Sequence, residues 1–149
     1  MKELKVSAIA EGTVIDHIPA EATFKVVEIL GLSREQDVVT VGTNLKSSKV
    51  GKKGVVKIAG RELSKREVEK IALIAPLATL NIIKGYKVIA KTKLRIPKML
   101  EQVVKCYNPN CISNWEKIPT KFYVMGASPL KLRCHYCERY VAAEDIKIL

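Results

Sequence analysis

Outside residues 106–137 there is no cysteine, and the chain holds only two histidines and two glutamines. Nucleophiles and bases are therefore scarce. No G-x-S-x-G elbow, Walker loop, G-x-G-x-x-G or H-E-x-x-H is present, so the chain reads as non-catalytic. Aromatic residues are 5% of the total, and in the first 97 residues only Phe24 and Tyr86 occur. Single-strand nucleic-acid binders stack bases on several exposed rings, so this scarcity argues against a broad nucleic-acid platform. Long apolar runs are missing as well. IALIAPLATL at 71–80 is interrupted by Pro76 and is far too short to cross a bilayer. No apolar signal-peptide core follows Met1-Lys2-Glu3, so a reducing, cytoplasmic location is expected. The shortage of glutamine against Lys, Glu, Ile and Val hints at a heat-loving source.

What cysteine there is comes as two pairs. Cys106 and Cys111 are spaced C-x4-C, Cys134 and Cys137 C-x2-C, with 22 residues between the pairs. Such short spacings let two thiolates from one turn reach the same ion, and two turns complete a tetrahedral shell. Zn2+ is the expected occupant, one per chain and structural; a single iron is the lesser alternative. Two disulfides are the bland reading, disfavoured by a reducing compartment. Four sulfurs leave no position for water, so the metal holds a small module together and does no chemistry. His135, between two ligands, is expected to point outward or pack locally.

The net charge of +11 invites a nucleic-acid reading. Its distribution argues otherwise. Residues 98–149 hold eight Lys/Arg against five Asp/Glu, while residues 1–97 hold eighteen against ten. The excess is not on the cysteine module. Two stretches carry cations and no acid: 38–61, with Lys46, Lys49, Lys52, Lys53, Lys57 and Arg61, and 70–100, with Lys84, Lys87, Lys91, Lys93 and Arg95 among others. Side chains two apart on a strand share a face. Lys87, Lys91, Lys93 and Arg95 would then line one side of 86–94, with Lys57 joining them if the strands are neighbours. Such a cluster suits a polyanion, either a nucleic-acid backbone or a nucleotide triphosphate. A solvated lysine face is the structural alternative. Asp16-His17 in DHIP reads as a structural pair in a rigid turn, since no nucleophile accompanies it.

Along the chain, 3–10 reads as a strand, Gly12 as the opening of a turn, and 20–30 as a helix with Phe24, Val27 and Leu30 at helical spacing and Gly31 as its stop. Strands are expected at 38–43 and 54–60 with a loop at 44–52 between them. Ser64 and Glu67 form a capping box before a second helix ended near Pro76. Strands at 78–84 and 86–94 flank a hairpin turn at Gly85. Short strands follow at 100–106, 121–126, 130–134 and 140–148. The order β-α-β-β-α-β with one extra strand predicts an α+β fold: a ferredoxin-like antiparallel sheet with two helices on one face, then a small all-β zinc-binding domain. The domains are expected at 1–97 and 98–149.

GTVIDHIPA at 12–20, VVKI at 55–58, APLATLNIIKGYKVIAK at 75–91 and CYNPNCIS…CHYCE at 106–138 together resemble the regulatory chain of aspartate carbamoyltransferase, in order along nearly the whole chain. The resemblance implies a non-catalytic allosteric subunit in pyrimidine biosynthesis. Its N-terminal domain would bind CTP as inhibitor, UTP alongside it, and ATP as activator. Its zinc domain would dock on the catalytic chain. Regulatory chains would pair through their N-terminal domains, three such dimers bridging two catalytic trimers. No membrane and no nucleic acid would be involved; the alternative is a basic zinc-ribbon nucleic-acid-binding protein.

By the same resemblance, backbone around Ile9 and Tyr86 would read the pyrimidine, with Val14, Ile83 and Val88 as apolar walls. Asp16 and Lys57 would contact the ribose, Lys91 and His17 the triphosphate, and Asn81 would lie at the edge. Asn44 and Lys53 would serve a second nucleotide joined through a shared Mg2+. Cys106, Cys111, Cys134 and Cys137 would hold zinc, with Asn110 and Glu138 near the catalytic-chain contact. The chain departs from the family pattern at Glu3, where a phosphate-contacting lysine is usual, and at Ser7, where an acid is usual.

Overall fold

The computed structural model of the protein describes residues 8–48 and 51–149. The chain divides into two compact units, Met1–Arg95 and Ile96–Leu149.

In the first unit the elements run β1 (Glu11–Pro19), α1 (Thr23–Ile29), β2 (Val39–Ser47), β3 (Gly51–Ala59), α2 (Lys65–Ile74), β4 (Thr79–Lys84) and β5 (Lys87–Lys93). The sheet order is β2-β3-β1-β4-β5, antiparallel throughout. This is the expected ferredoxin-like arrangement with one added edge strand. The strand expected at 3–10 falls mostly outside the described residues, as do Glu3, Ser7 and Lys49.

Gly12 does not open a turn. It is the second residue of β1, at φ 135°, and a Cβ there would meet the Ile58 carbonyl oxygen at 2.1 Å. Glycine is required because β3's backbone leaves no room. The loop expected at 44–52 is also shorter, because β2 continues to Ser47 and β3 begins at Gly51. A β-bulge accommodates this: the β2–β3 register jumps between Gly42 and Leu45, and Asn44 takes φ 61°. Asparagine tolerates that left-handed conformation.

Helix α1 is preceded by a 3-10 turn at Ala20–Ala22. Thr23, Val26 and Leu30 face inward, while Phe24, expected in the buried stripe, is 67% exposed. Gly31 ends the helix at φ 62° as expected. Helix α2 carries the full capping box: the Glu67 amide donates to Ser64 Oγ and the Ser64 amide to the Glu67 carboxylate. α1 packs on α2 and on β3. The core joins Ile15, Ile18, Val56 and Ile58 of the sheet with Val26, Leu30, Ile71, Ala72 and Ala75. Each large side chain buried this way stabilises by roughly 1.5–3 kcal/mol.

The second unit is all β apart from short 3-10 turns. Strands β6 (Met99–Glu101), β8 (Lys121–Ala127), β9 (Leu130–Cys134) and β10 (Tyr140–Ala142) make one sheet, ordered β10-β9-β8-β6. β7 (Val104–Lys105) and β11 (Lys147–Ile148) make a second. The single strands expected at 100–106 and 140–148 are each broken in two. Gln102, at φ 59°, turns the chain before β7, and a 3-10 turn at Ala143–Asp145 precedes β11. Leu100, Val103, Val104, Phe122, Leu132 and Val141 form this unit's core. Among the described residues no helix is long and apolar enough to cross a membrane.

Candidate ligand face and metal centre

Directly paired residues on neighbouring strands project to the same face. Thr13, Ile15 and Ile58 are buried towards the helices, so the alternate residues of β1 and its partners occupy the far face. Register sets three rows there. The middle row runs Lys57–Val14–Asn81–Lys91 across β3, β1, β4 and β5. On one side lies Gly12–Ile83–Val88, on the other Asp16–Thr79–Lys93. Lys57 and Lys91 are not on adjacent strands, yet three ladders bring them into one line.

The lysine stripe expected along 86–94 is interrupted. A register shift on β5 leaves Ile89 without an opposite number between the pairs Ile82–Ala90 and Ile83–Val88. Side chains beyond it change face, so Val88 joins Lys91 and Lys93, and Lys87 pairs with Lys84 on the helix side. Lys93 stays on the face expected of it, while Thr79 was not singled out from the sequence. The signal for Lys93 is its spacing of two from Lys91.

Asp16 and His17 lie not in a turn but in a second bulge, on β1, between the pairs Ile15–Val56 and Ile18–Gly54. His17 takes φ 59°. Its amide donates to Asp16 Oδ1 at 2.6 Å, and its Nδ1 lies 3.1 Å from Thr79 Oγ1. Lys53 Nζ reaches the same Asp16 oxygen at 2.8 Å. Burial opposes ionisation of Asp16, but the bonds from Lys53 and the His17 amide outweigh it and hold the carboxyl below its usual range. Asn44 is exposed in the β2 bulge, on the other side of β3.

Gly85 and Tyr86 form the two-residue turn between β4 and β5, at φ 57° and 62°. This is the left-handed pair that a tight hairpin demands. The Tyr86 amide donates to the Ala10 carbonyl at 3.1 Å, bringing this turn against the segment that carries buried Ile9. The Tyr86 ring is 70% exposed.

In the second unit, Cys106, Cys111, Cys134 and Cys137 place their sulfurs within 4.8 Å of one another, arranged to hold a metal ion. The pairs Cys106–Cys137 and Cys111–Cys134 stand 3.7 Å apart. A tetrahedral site with metal–sulfur bonds of about 2.3 Å has sulfur–sulfur edges of about 3.8 Å, so the geometry fits. Surrounding amides complete the fit: those of Tyr136 and Cys137 point to Cys134 and that of Asn108 to Cys106. Such donors orient and stabilise thiolates. Burial pushes the Cys106 and Cys134 thiols up despite these bonds. For Cys137 burial also raises, but the Arg139 amide and the Asn108 side chain prevail and bring it to about 7.

Asn110 and Glu138 are both exposed, one on each cysteine loop. The Asn110 amide donates to Asn108 Oδ1, and Glu138, at φ 61°, donates its amide to the Cys134 carbonyl. His135 is exposed, with Nδ1 2.6 Å from the Tyr123 hydroxyl and its ring edge-on to Tyr123 and Tyr136.

Two family models match the chain. That described as the aspartate carbamoyltransferase regulatory chain, allosteric domain, matches residues 4–95, and that for the same chain's metal binding domain matches residues 98–147. Among similar proteins, the aspartate carbamoyltransferase regulatory chain of Pyrococcus horikoshii is 56% identical over 98% of this chain and 97% of its own length. That of Pyrococcus furiosus is 54% identical over 98% of this chain and 97% of its own length. The regulatory chain of Bacteroides thetaiotaomicron is 45% identical, covering 98% of this chain and 95% of its own length. With both units matched and the four-sulfur cluster in place, the chain belongs to the family of aspartate carbamoyltransferase regulatory chains, non-catalytic polypeptides with an allosteric and a metal-binding domain.

Proposed function

We propose that residues 1–97 form a nucleotide-effector domain and residues 98–149 a zinc domain that docks on the catalytic chain of aspartate carbamoyltransferase, in pyrimidine biosynthesis in the cytoplasm. The observation that carries the reading is the far-face row Lys57–Val14–Asn81–Lys91. It sets two cations on either side of an apolar and an amide side chain, a spacing suited to a base and sugar flanked by charge. CTP, UTP and ATP are the effectors. Backbone near Ile9 and Tyr86 reads the base, with Val14, Ile83 and Val88 as walls and Asn81 at the edge. Asp16 and Lys57 take the ribose, and Lys91 and His17 the phosphates. Asn44 and Lys53, near the β2 and β1 bulges, serve a second nucleotide, with Mg2+ held by the phosphates of the pair.

Zinc is the metal assigned to the cysteines. Four thiolates at tetrahedral spacing suit a cation with no redox chemistry, and bound there it cross-links the two cysteine loops. Asn110 and Glu138 would then stand beside the partner surface. Paired regulatory chains, three dimers to two catalytic trimers, complete the assembly. No nucleic acid or membrane takes part.

Effector binding shifts a balance between two quaternary states only through differential affinity for them. A tenfold shift needs about 1.4 kcal/mol, comparable to one charge-assisted hydrogen bond. Titrating the assembled enzyme with CTP, UTP and ATP while following carbamoyl aspartate formation tests the reading. A response to none of the three would overturn it.

A further inference from the structure

The three far-face rows contain one acid, Asp16, among the cations Lys57, Lys91 and Lys93. A bare carboxylate there would repel a polyphosphate. It is not bare: Lys53 Nζ and the His17 amide both engage Oδ1, at 2.8 and 2.6 Å. Lys53 does not belong to the rows. It stands on β3 opposite Pro19, beyond the bulge, and reaches back past it. Two donors on one oxygen fix the rotation of the carboxylate and leave Oδ2, with His17 Nδ1 4.0 Å away, as the oxygen presented to a neighbour. An ionised carboxylate only accepts hydrogen bonds. What it recognises is a donor pair such as a vicinal diol.

We propose that Lys53 is a positioning residue for Asp16, holding the carboxylate as acceptor for ribose hydroxyls and so setting a preference for ribonucleotides over 2′-deoxyribonucleotides. This deepens the nucleotide reading above and rests on it. A site built around a hydrogen bond to a hydroxyl rejects the analogue lacking it far more strongly than an apolar pocket would. Removing Lys53 frees the carboxylate to rotate towards solvent, and the discrimination goes with it. The loss of positive charge weakens both nucleotides together, so the ratio of their affinities isolates the positioning role.

The test is calorimetric titration of the full-length, zinc-loaded chain with CTP and with 2′-deoxy-CTP. The unsubstituted chain should prefer CTP by about tenfold or more. Lys53→Met should cut that ratio to below about threefold, Lys53→Arg should restore it, and Asp16→Asn should abolish it. The Lys53→Met/Asp16→Asn double variant should show no further change in the ratio. A ratio unaltered in Lys53→Met but collapsed in Asp16→Asn overturns the role of Lys53 alone. A ratio unaltered in Asp16→Asn places the sugar elsewhere, and failure of the unsubstituted chain to bind CTP overturns the nucleotide reading itself. Circular dichroism of each variant confirms that it is folded.

Discussion

Gly54 of β3 and Thr23 of α1 touch so closely that a Cβ on the glycine would lie 1.9 Å from the threonine hydroxyl. Thr23 is fully buried, donates to the Ala20 carbonyl at 3.0 Å and lies 3.1 Å from Thr43 Oγ1. It has nowhere to move. Gly54 is also the residue the β2 bulge faces, and it pairs with Ile18 just after the β1 bulge. Gly54→Ala should therefore destabilise the first unit by about 1–3 kcal/mol through overpacking. Denaturant unfolding followed by far-ultraviolet circular dichroism measures it, and an unchanged midpoint would refute the close approach.

Lys57 and Lys91 close the two ends of one row. Lys91→Ala should weaken CTP binding at least about tenfold, the scale of one lost charge-assisted contact to phosphate, while leaving assembly with the catalytic chain intact. Calorimetry gives the first readout and gel filtration of the mixed chains the second. Undiminished CTP affinity would move the phosphate site off this row.

Metal removal should act on the second unit alone. Structural zinc contributes roughly 10–16 kcal/mol in comparable small motifs, more than so small a core can replace. Trp115, the only tryptophan, donates Nε1–H to the Pro109 carbonyl between two of the ligands. Chelation, or Cys111→Ala, should shift its emission and abolish association with the catalytic chain. CTP binding by the first unit should survive; loss of both would show that the units are not separable.

The Asp16 carboxyl, held below its unfolded value of about 3.8, contributes stability that is fully present above that pH. This contribution is lost as pH falls through the lower, folded value. Amide exchange protection in β1 should accordingly drop between pH 4 and pH 2 more steeply in the unsubstituted chain than in Asp16→Asn. Equal slopes would show that the Lys53 pair does not couple to folding.

Tyr86 sits at φ 62° in its turn. Tyr86→Gly relieves that strain but adds freedom to the unfolded chain, and the two oppose. Stability should change by less than about 1 kcal/mol. If the pyrimidine is read by backbone, CTP affinity should change by less than about threefold; a larger loss would assign the contact to the ring.

Local signals were legible in the sequence. The cysteine spacings, the Ser64–Glu67 capping box, the Gly31 stop and the hairpin at Gly85 each depend on residues a few positions apart. The far-face row was not, because it depends on pairing between distant segments. Gly12 looked like a turn residue, since nothing local shows that β3 presses on it. Each bulge inserts a residue and inverts the alternation by which faces are assigned, as at Ile89, which sends Lys87 to the helix side. Phe24 was misplaced because two helical stripes one residue apart both fit the spacing, and packing buries that of Thr23, Val26 and Leu30.

Four strands, drawn from three separate stretches of the chain, meet on that row, and each rung fixes the next. Deleting a single codon within β1 or β4 would swing every side chain beyond it through half a revolution, parting Lys57 from Lys91 while leaving both in the polypeptide. Mutational drift in strand length should thus silence the chain's ligand response more readily than exchange of any one of its charged residues.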